Sequence, residues 1–254
     1  MSRRNRRGRR HGVVDTTHQR LVNYRDLVNP LARQTAFSQD RVEAIHDTAL
    51  RVLEQLGIRV LNTEARDIFR RAGADVQEST QMVKLARALT EDLRRLAPRE
   101  FVMYGGNAEA NVTLGGDKVA FVCVGGAPHI SDIDRGKRPG TIADTRNIIR
   151  LTEHFDVLHL QSPNVESQDV PVHLRHYAVT EAQLTLSRKP LFAYSRGTAQ
   201  VDDAFAMTQI ARGLTVAEFE AKPWCYTVIN TNSPRQLDIP MCQGIIDFAR
   251  AGQV

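Results

Sequence analysis

The sequence predicts an α/β protein: a partial (β/α)8 barrel of the TIM type, about four βα units long, preceded by an α-helical section with a β-hairpin. Three observations predict it. Four apolar runs, at residues 119–124, 157–160, 191–194 and 224–229, begin 33 to 38 residues apart. Each is followed by small or polar breakers and then by a stretch of helical periodicity, the rhythm of successive βαβ crossovers onto a parallel sheet. Before residue 117 the order differs, with helices first and short glycine-broken strands after them. The active site of such a barrel is assembled from eight loops at the C-terminal face of its strands. A chain with four units is therefore expected to carry half a site.

At 254 residues, 42% hydrophobic and 25% charged, the chain has enough apolar mass for a sizeable core. No run approaches the ~18 apolar residues of a membrane span, and no apolar stretch follows the N-terminal arginines. A cytoplasmic location with no membrane partner is expected. Cys123, Cys225 and Cys242 have no C-x-x-C spacing, which excludes a disulfide framework and the usual zinc sites. Cys123 and Cys225 lie inside apolar runs and read as core. The net charge of +5 is smaller than the number of arginines in the first ten residues, Arg3, Arg4, Arg6, Arg7, Arg9 and Arg10, so a basic tail is attached to a nearly neutral body.

The elements follow in order. Residues 1–36 read as a basic extended arm packing through Leu21, Tyr24, Leu27 and Leu31. Residues 37–116 form the helical section. Ser38 is its first N-cap, and Val42, Ile45, Ala49, Val52, Leu53 and Leu56 recur at helical spacing until Gly57. Further helices are expected over 63–72, before Gly73, and over 84–96, before Pro98. Short strands are expected at 101–104 and 112–114 and then at 119–124, and Gly115-Gly116-Asp117-Lys118 resembles a hairpin loop between the last two. Neither G-x-x-x-x-G-K-[ST] nor G-x-G-x-x-G occurs among these glycines, so no phosphate loop is predicted.

Residues 117–254 are the half barrel. Thr141 caps a helix carrying Ile148, Ile149 and Leu151, and further helices span 172–187, 201–213 and 239–251. Gly252, Gln253 and Val254 read as the turn into another strand. Strand polarity selects the candidate site residues, because only side chains leaving the C-terminal ends reach the functional face. They are Asn164, Tyr194, Ser195, Asn230 and Asn232, together with Asp132 after the first strand. The competing reading gives the asparagines and Ser195 to turns and caps. It places Asp132, Asp134, Arg135 and Arg138 in a charged hairpin at the barrel mouth. Trp224 opens its strand and is expected in the core at the far end. His173 and His176, without an H-E-x-x-H pattern, read as solvated or partner-facing on an outer helix, and the missing G-x-S-x-G excludes a serine-hydrolase elbow.

Several of these stretches together resemble the trimethylamine methyltransferase family of corrinoid-protein methyltransferases. The residues that carry the resemblance are the arginine-rich start, Leu53-Glu54-Gln55-Leu56-Gly57-Ile58, and Arg71-Ala72-Gly73-Ala74. With them go Gly125-Gly126-Ala127-Pro128, the stretch from Asp132 to Arg138, Lys189-Pro190 and Asn232-Ser233-Pro234. The resemblance implies a barrel enzyme that moves a methyl group from trimethylamine, or from a quaternary amine such as a betaine, to the cobalt of a corrinoid protein. It implies no cofactor bound directly, since the partner protein presents the corrinoid, and a homo-oligomer is expected. Some archaeal members use pyrrolysine, at a position that corresponds to nothing in this chain.

That chemistry makes its own demands. A quaternary nitrogen has no proton to donate, so aromatic faces and carboxylates are its natural hosts, and an attached carboxylate calls for arginine or amide donors. With half a site, the chain alone is expected not to turn over. The alternative is a non-catalytic binding or assembly module whose arginine arm contacts an acidic partner or nucleic acid. The arm lacks interleaved aromatics and a folded basic face, so nucleic acid is not the expected partner.

Overall fold

The computed structural model describes residues 23–32 and 34–254. The N-terminal arginines, and with them most of the expected arm, lie outside the described residues. The first half runs β1 (Leu27–Val28), α1 (Gln39–Arg51), β2 (Ile58–Val60), α2 (Thr63–Arg71), β3 (Asp75–Gln77), β4 (Met82–Lys84), α3 (Arg87–Leu96), β5 (Glu100–Met103), β6 (Val112–Gly115) and β7 (Lys118–Val119). Of the arm's expected anchors, Leu27 is held by the antiparallel pairing of β1 with β7. Tyr24 and Leu31 are exposed instead, because a two-residue strand offers no apolar face to lie against.

Helix α1 begins after Ser38 as predicted, but its apolar stripe is not core. Val42 and Ile45 are exposed and Leu50 is the buried residue. His46 and Asp47 pair with Glu91 (2.5 Å) and Arg87 (2.7 Å) of α3. The helix widens into a π-type turn over Val52–Leu56 and stops at Gly57, whose φ of +70° favours glycine. Lys84, read as the start of a helix, ends strand β4 instead, and α3 begins at Arg87. Strands β2, β4 and β3 pair antiparallel in that order. The loop at 115–118 does not close a hairpin ladder: β6 pairs antiparallel with β5, Phe101 opposite Leu114, while β7 beyond the loop pairs with β1.

The second half runs β8 (His129–Asp132), β9 (Gly136–Pro139), α4 (Ile142–His154), α5 (Arg175–Leu186), β10 (Leu191–Phe192), α6 (Thr198–Arg212), α7 (Val216–Glu220), β11 (Cys225–Tyr226), β12 (Gln236–Leu237) and α8 (Ile239–Arg250). The four apolar runs lie side by side in chain order. Val122 bridges Leu160 in parallel, the His159 amide donates to the Phe121 carbonyl (2.8 Å), and the Gln161 amide donates to the Pro190 carbonyl (3.1 Å). β10 pairs parallel with β11. Val254 continues the series, since its carbonyl accepts from the Thr227 amide (2.8 Å) and its amide donates to the Cys225 carbonyl (3.2 Å). Regular ladders are shorter than the apolar runs, two residues each in β7, β10 and β11.

Helices α5 and α6 start at Arg175 and Thr198 rather than at 172 and 201, and α7 was not anticipated. His176, expected on a solvated face, is buried and hydrogen-bonded to Asp203 of α6 (2.8 Å), because α5 packs its flank against α6. Leu191, Ala193, Val201, Phe205, Phe219, Cys225 and Phe248 form one core between strands and helices. A second core gathers Val60, Ala65, Ala74 and Val83 with Cys242 and Ile246 of α8. β12 pairs parallel with β2, so the two halves share a sheet as well as a core. Among the described residues no helix is long and apolar enough to cross a membrane.

Candidate active site

Alternation along the strands separates two faces. Leu191, Ala193 and Cys225 point into the core beneath the helices, while Phe192, Tyr194 and Tyr226 point to the opposite side. There they line a cavity of about 470 Å³. Its walls are the C-terminal ends of all four apolar runs: residues 122–126, Ser162 and Pro163, 194–196, and 226–228 with Asn230, closed by Met241 of α8. Below it the β5–β6 hairpin fills the same face, with Met103 and Val112 packed on Leu160 and against Tyr226. Above the hairpin the face is open, and Val124 is 83% and Val228 59% exposed.

Three aromatic rings define the cavity. Phe192 stands edge-on to Tyr194 (5.5 Å, 84°) and to Tyr226 (5.4 Å, 87°), the arrangement that ring quadrupoles favour. The Tyr226 hydroxyl donates to the Gln161 carbonyl. Gln161 is fixed in turn, its amide donating to Ser187 (2.7 Å), whose hydroxyl donates to Glu153 (2.8 Å). Burial holds both phenols well above their ordinary ionisation range, assisted at Tyr194 by the Glu166 carboxylate, so both rings stay neutral. The Arg196 guanidinium lies 4.6 Å from the centroid of Tyr194 and pairs with Glu166 at 2.9 Å. Among the described residues Arg196 is the only charged one in the lining.

Of the residues expected from sequence, Tyr194, Ser195 and Asn230 meet at this cavity. Asn164, Asn232 and Asp132 are not in its lining. Asn164 is buried just beyond Pro163, and neither atom of its amide group has a hydrogen-bond partner. Asn232 exchanges backbone hydrogen bonds with Gln236 (2.7 and 3.0 Å) and forms the turn that delivers β12. Asp132 accepts from the Arg135 amide (2.7 Å) and from Arg138 (3.2 Å), which makes it the organiser of the β8–β9 hairpin. Trp224 packs on Tyr104 (5.5 Å) and is absent from the lining, as its place at the start of the strand predicts.

Sequence reasoning missed Phe192, Tyr226 and Arg196. A signal was available: Phe192 lies two residues before Tyr194 and therefore on the same face, and Phe192 is in register with Tyr226. Among the described residues the lining holds no histidine or carboxylate, and no group of three or more metal-ligating side chains is assembled.

Residues 2–254 match the family described as trimethylamine methyltransferase (MTTB). Among similar proteins are a glycine betaine methyltransferase of Desulfitobacterium hafniense, 30% identical over 88% of this chain and 46% of its own length, and the trimethylamine methyltransferase MttB of the same species, 29% identical over 85% and 44%. The trimethylamine methyltransferase MttB of Methanosarcina barkeri is 28% identical over 85% of this chain and 45% of its own. The matched proteins are methyltransferases by name. The chain belongs to the trimethylamine methyltransferase family, and it spans about half the length of the curated relatives it matches.

Proposed function

We propose that this chain supplies one wall of a site in which a methylated amine, trimethylamine or a quaternary amine such as a betaine, gives a methyl group to the cobalt of a corrinoid carried by a separate protein. The observation that carries the reading is the cluster of three neutral rings at the C-terminal ends of four parallel segments. Ring faces attract a quaternary ammonium electrostatically without needing a proton from it. The same reading takes the parallel run as an arc of a (β/α)8 barrel. It is supported by the parallel order of the segments and by the uncovered apolar face that a remaining arc would close.

The corrinoid's cobalt supplies the nucleophile that accepts the methyl group. The residues present suit a corrinoid held elsewhere, since the lining offers no imidazole to ligate it and the cavity opens outward past Val124 and Val228. What the chain does is position: Phe192 and Tyr226 hold the cation, and Gln161 fixes the Tyr226 hydroxyl. For a quaternary amine no proton transfer is required, because the nitrogen leaves with its electron pair as a neutral tertiary amine; trimethylamine has to enter as trimethylammonium, so that it leaves as neutral dimethylamine.

The test is methylcobalamin formation, followed by visible absorbance, from trimethylamine or trimethylglycine and a reduced corrinoid protein. Turnover is expected when the 254-residue chain is combined with a polypeptide covering the rest of the family's length, and not with the chain alone. Turnover by the chain alone would overturn the single-wall reading. No turnover in either case would overturn methyl transfer.

A further inference from the structure

Among the described residues this wall of the cavity contains one charged side chain, Arg196, and no carboxylate. A wall built only to hold a cation would show the opposite balance, because a guanidinium repels the ligand that the rings attract. The position of Arg196 is specific. Its guanidinium rests on Tyr194, 4.6 Å from the ring centroid, on a cavity ring that a ligand cation would use. Its carboxylate partner, Glu166, is largely buried and is shared, taking Arg196 at 2.9 Å and Arg175 at 3.8 Å. Two guanidiniums on one carboxylate leave one positive charge unmatched. The Arg196 side chain is 56% exposed, and its pairing with Glu166 is made through Nη2.

Resting on the methyl-transfer reading above, we propose that Arg196 is the specificity-determining residue of this cavity: it selects ligands whose quaternary nitrogen is accompanied by an anionic group and disfavours bare cations. A zwitterion satisfies both halves of the site. Its trimethylammonium end lies among Phe192, Tyr194 and Tyr226, and its carboxylate takes the fork of N–H groups that guanidinium presents to planar oxyanions. A bare tetraalkylammonium meets the same rings, but it must displace a resident cation from Tyr194 and it brings no counter-charge.

Calorimetric titration at low ionic strength of the full chain combined with a polypeptide covering the rest of the family's length, with trimethylglycine and with tetramethylammonium, tests this. Trimethylglycine is expected to bind about tenfold or more tighter than tetramethylammonium. Arg196→Gln should bring the two affinities within about threefold of each other, by weakening the first and strengthening the second. Arg196→Lys, which keeps the charge and loses the fork, should lie between. The side chain is exposed, so the variants are expected to melt with the parent.

A ratio that is unchanged in Arg196→Gln, or a parent chain that binds both ligands equally, overturns the role of Arg196 while leaving the aromatic site standing. If neither ligand binds the parent chain, the aromatic site itself fails, and this inference with it.

Discussion

Single atoms decide how closely α8 approaches the cavity. A Cβ at Gly244 would stand 2.6 Å from the Cβ of Ser195 and 3.1 Å from Cδ1 of Ile229, so the helix rests on the strand end because the side chain is missing. Gly244→Ala is expected to cost about 1–3 kcal/mol through overpacking, read as a lower Tm, and to displace Ser195 at the cavity wall. A Tm equal to the parent's would show that α8 is not seated here. Ser195 and Tyr194 were readable from sequence because strand polarity alone places a residue at the functional end. Phe192, Tyr226 and Arg196 required knowing which face of each strand is open, and hydrophobicity does not distinguish a core face from a ligand face. Asn164, Asn232 and Asp132 have the right composition for a site, but a buried loop position, a turn and a hairpin place them elsewhere.

The junction of the β8–β9 hairpin with α4 shows how elements are locked together. Thr141 caps α4 in a reciprocal capping box with Asp144, and Arg138 of β9 grips the same carboxylate at 2.5 and 2.6 Å. The guanidinium first, then the Thr141 hydroxyl and amide, hold the Asp144 carboxyl far below the usual range. A carboxyl depressed in the folded state contributes stability above its unfolded pKa of about 3.9 and loses it as pH falls below that value. Acid unfolding monitored by circular dichroism should therefore be shallower below about pH 4 in Asp144→Asn than in the parent. Thr141→Ala should cost about 1 kcal/mol at neutral pH. An identical acid profile for Asp144→Asn would assign the acid sensitivity elsewhere. This cap was readable from sequence, as were the α2 and α8 spans to within a residue. Strands β2, β3 and β4 were not, because three-residue strands carry no resolvable alternation, and β12 lay hidden in what read as a loop.

At the scale of the whole molecule, α8 ties the two halves of the chain together. Its Phe248 belongs to the core under the parallel strands, and its Cys242 and Ile246 belong to the core of the N-terminal sheet, to which β12 also adds a strand. A boundary at residue 116, natural where helical and strand patterns change in the sequence, therefore cuts through shared packing rather than between independent bodies. The consequence is measurable with the single tryptophan. Trp224 packs against the first core and reports on it, while Ile246 is buried in the second. Ile246→Ala removes buried methyl groups and should cost about 2–5 kcal/mol. If the cores unfold as one unit, the variant lowers the Trp224 fluorescence midpoint in denaturant as far as the circular dichroism midpoint, with both probes coincident. A Trp224 midpoint that stays at the parent's value while circular dichroism shifts would mean that the cores unfold separately, and that the joint made by α8 and β12 carries little of the stability.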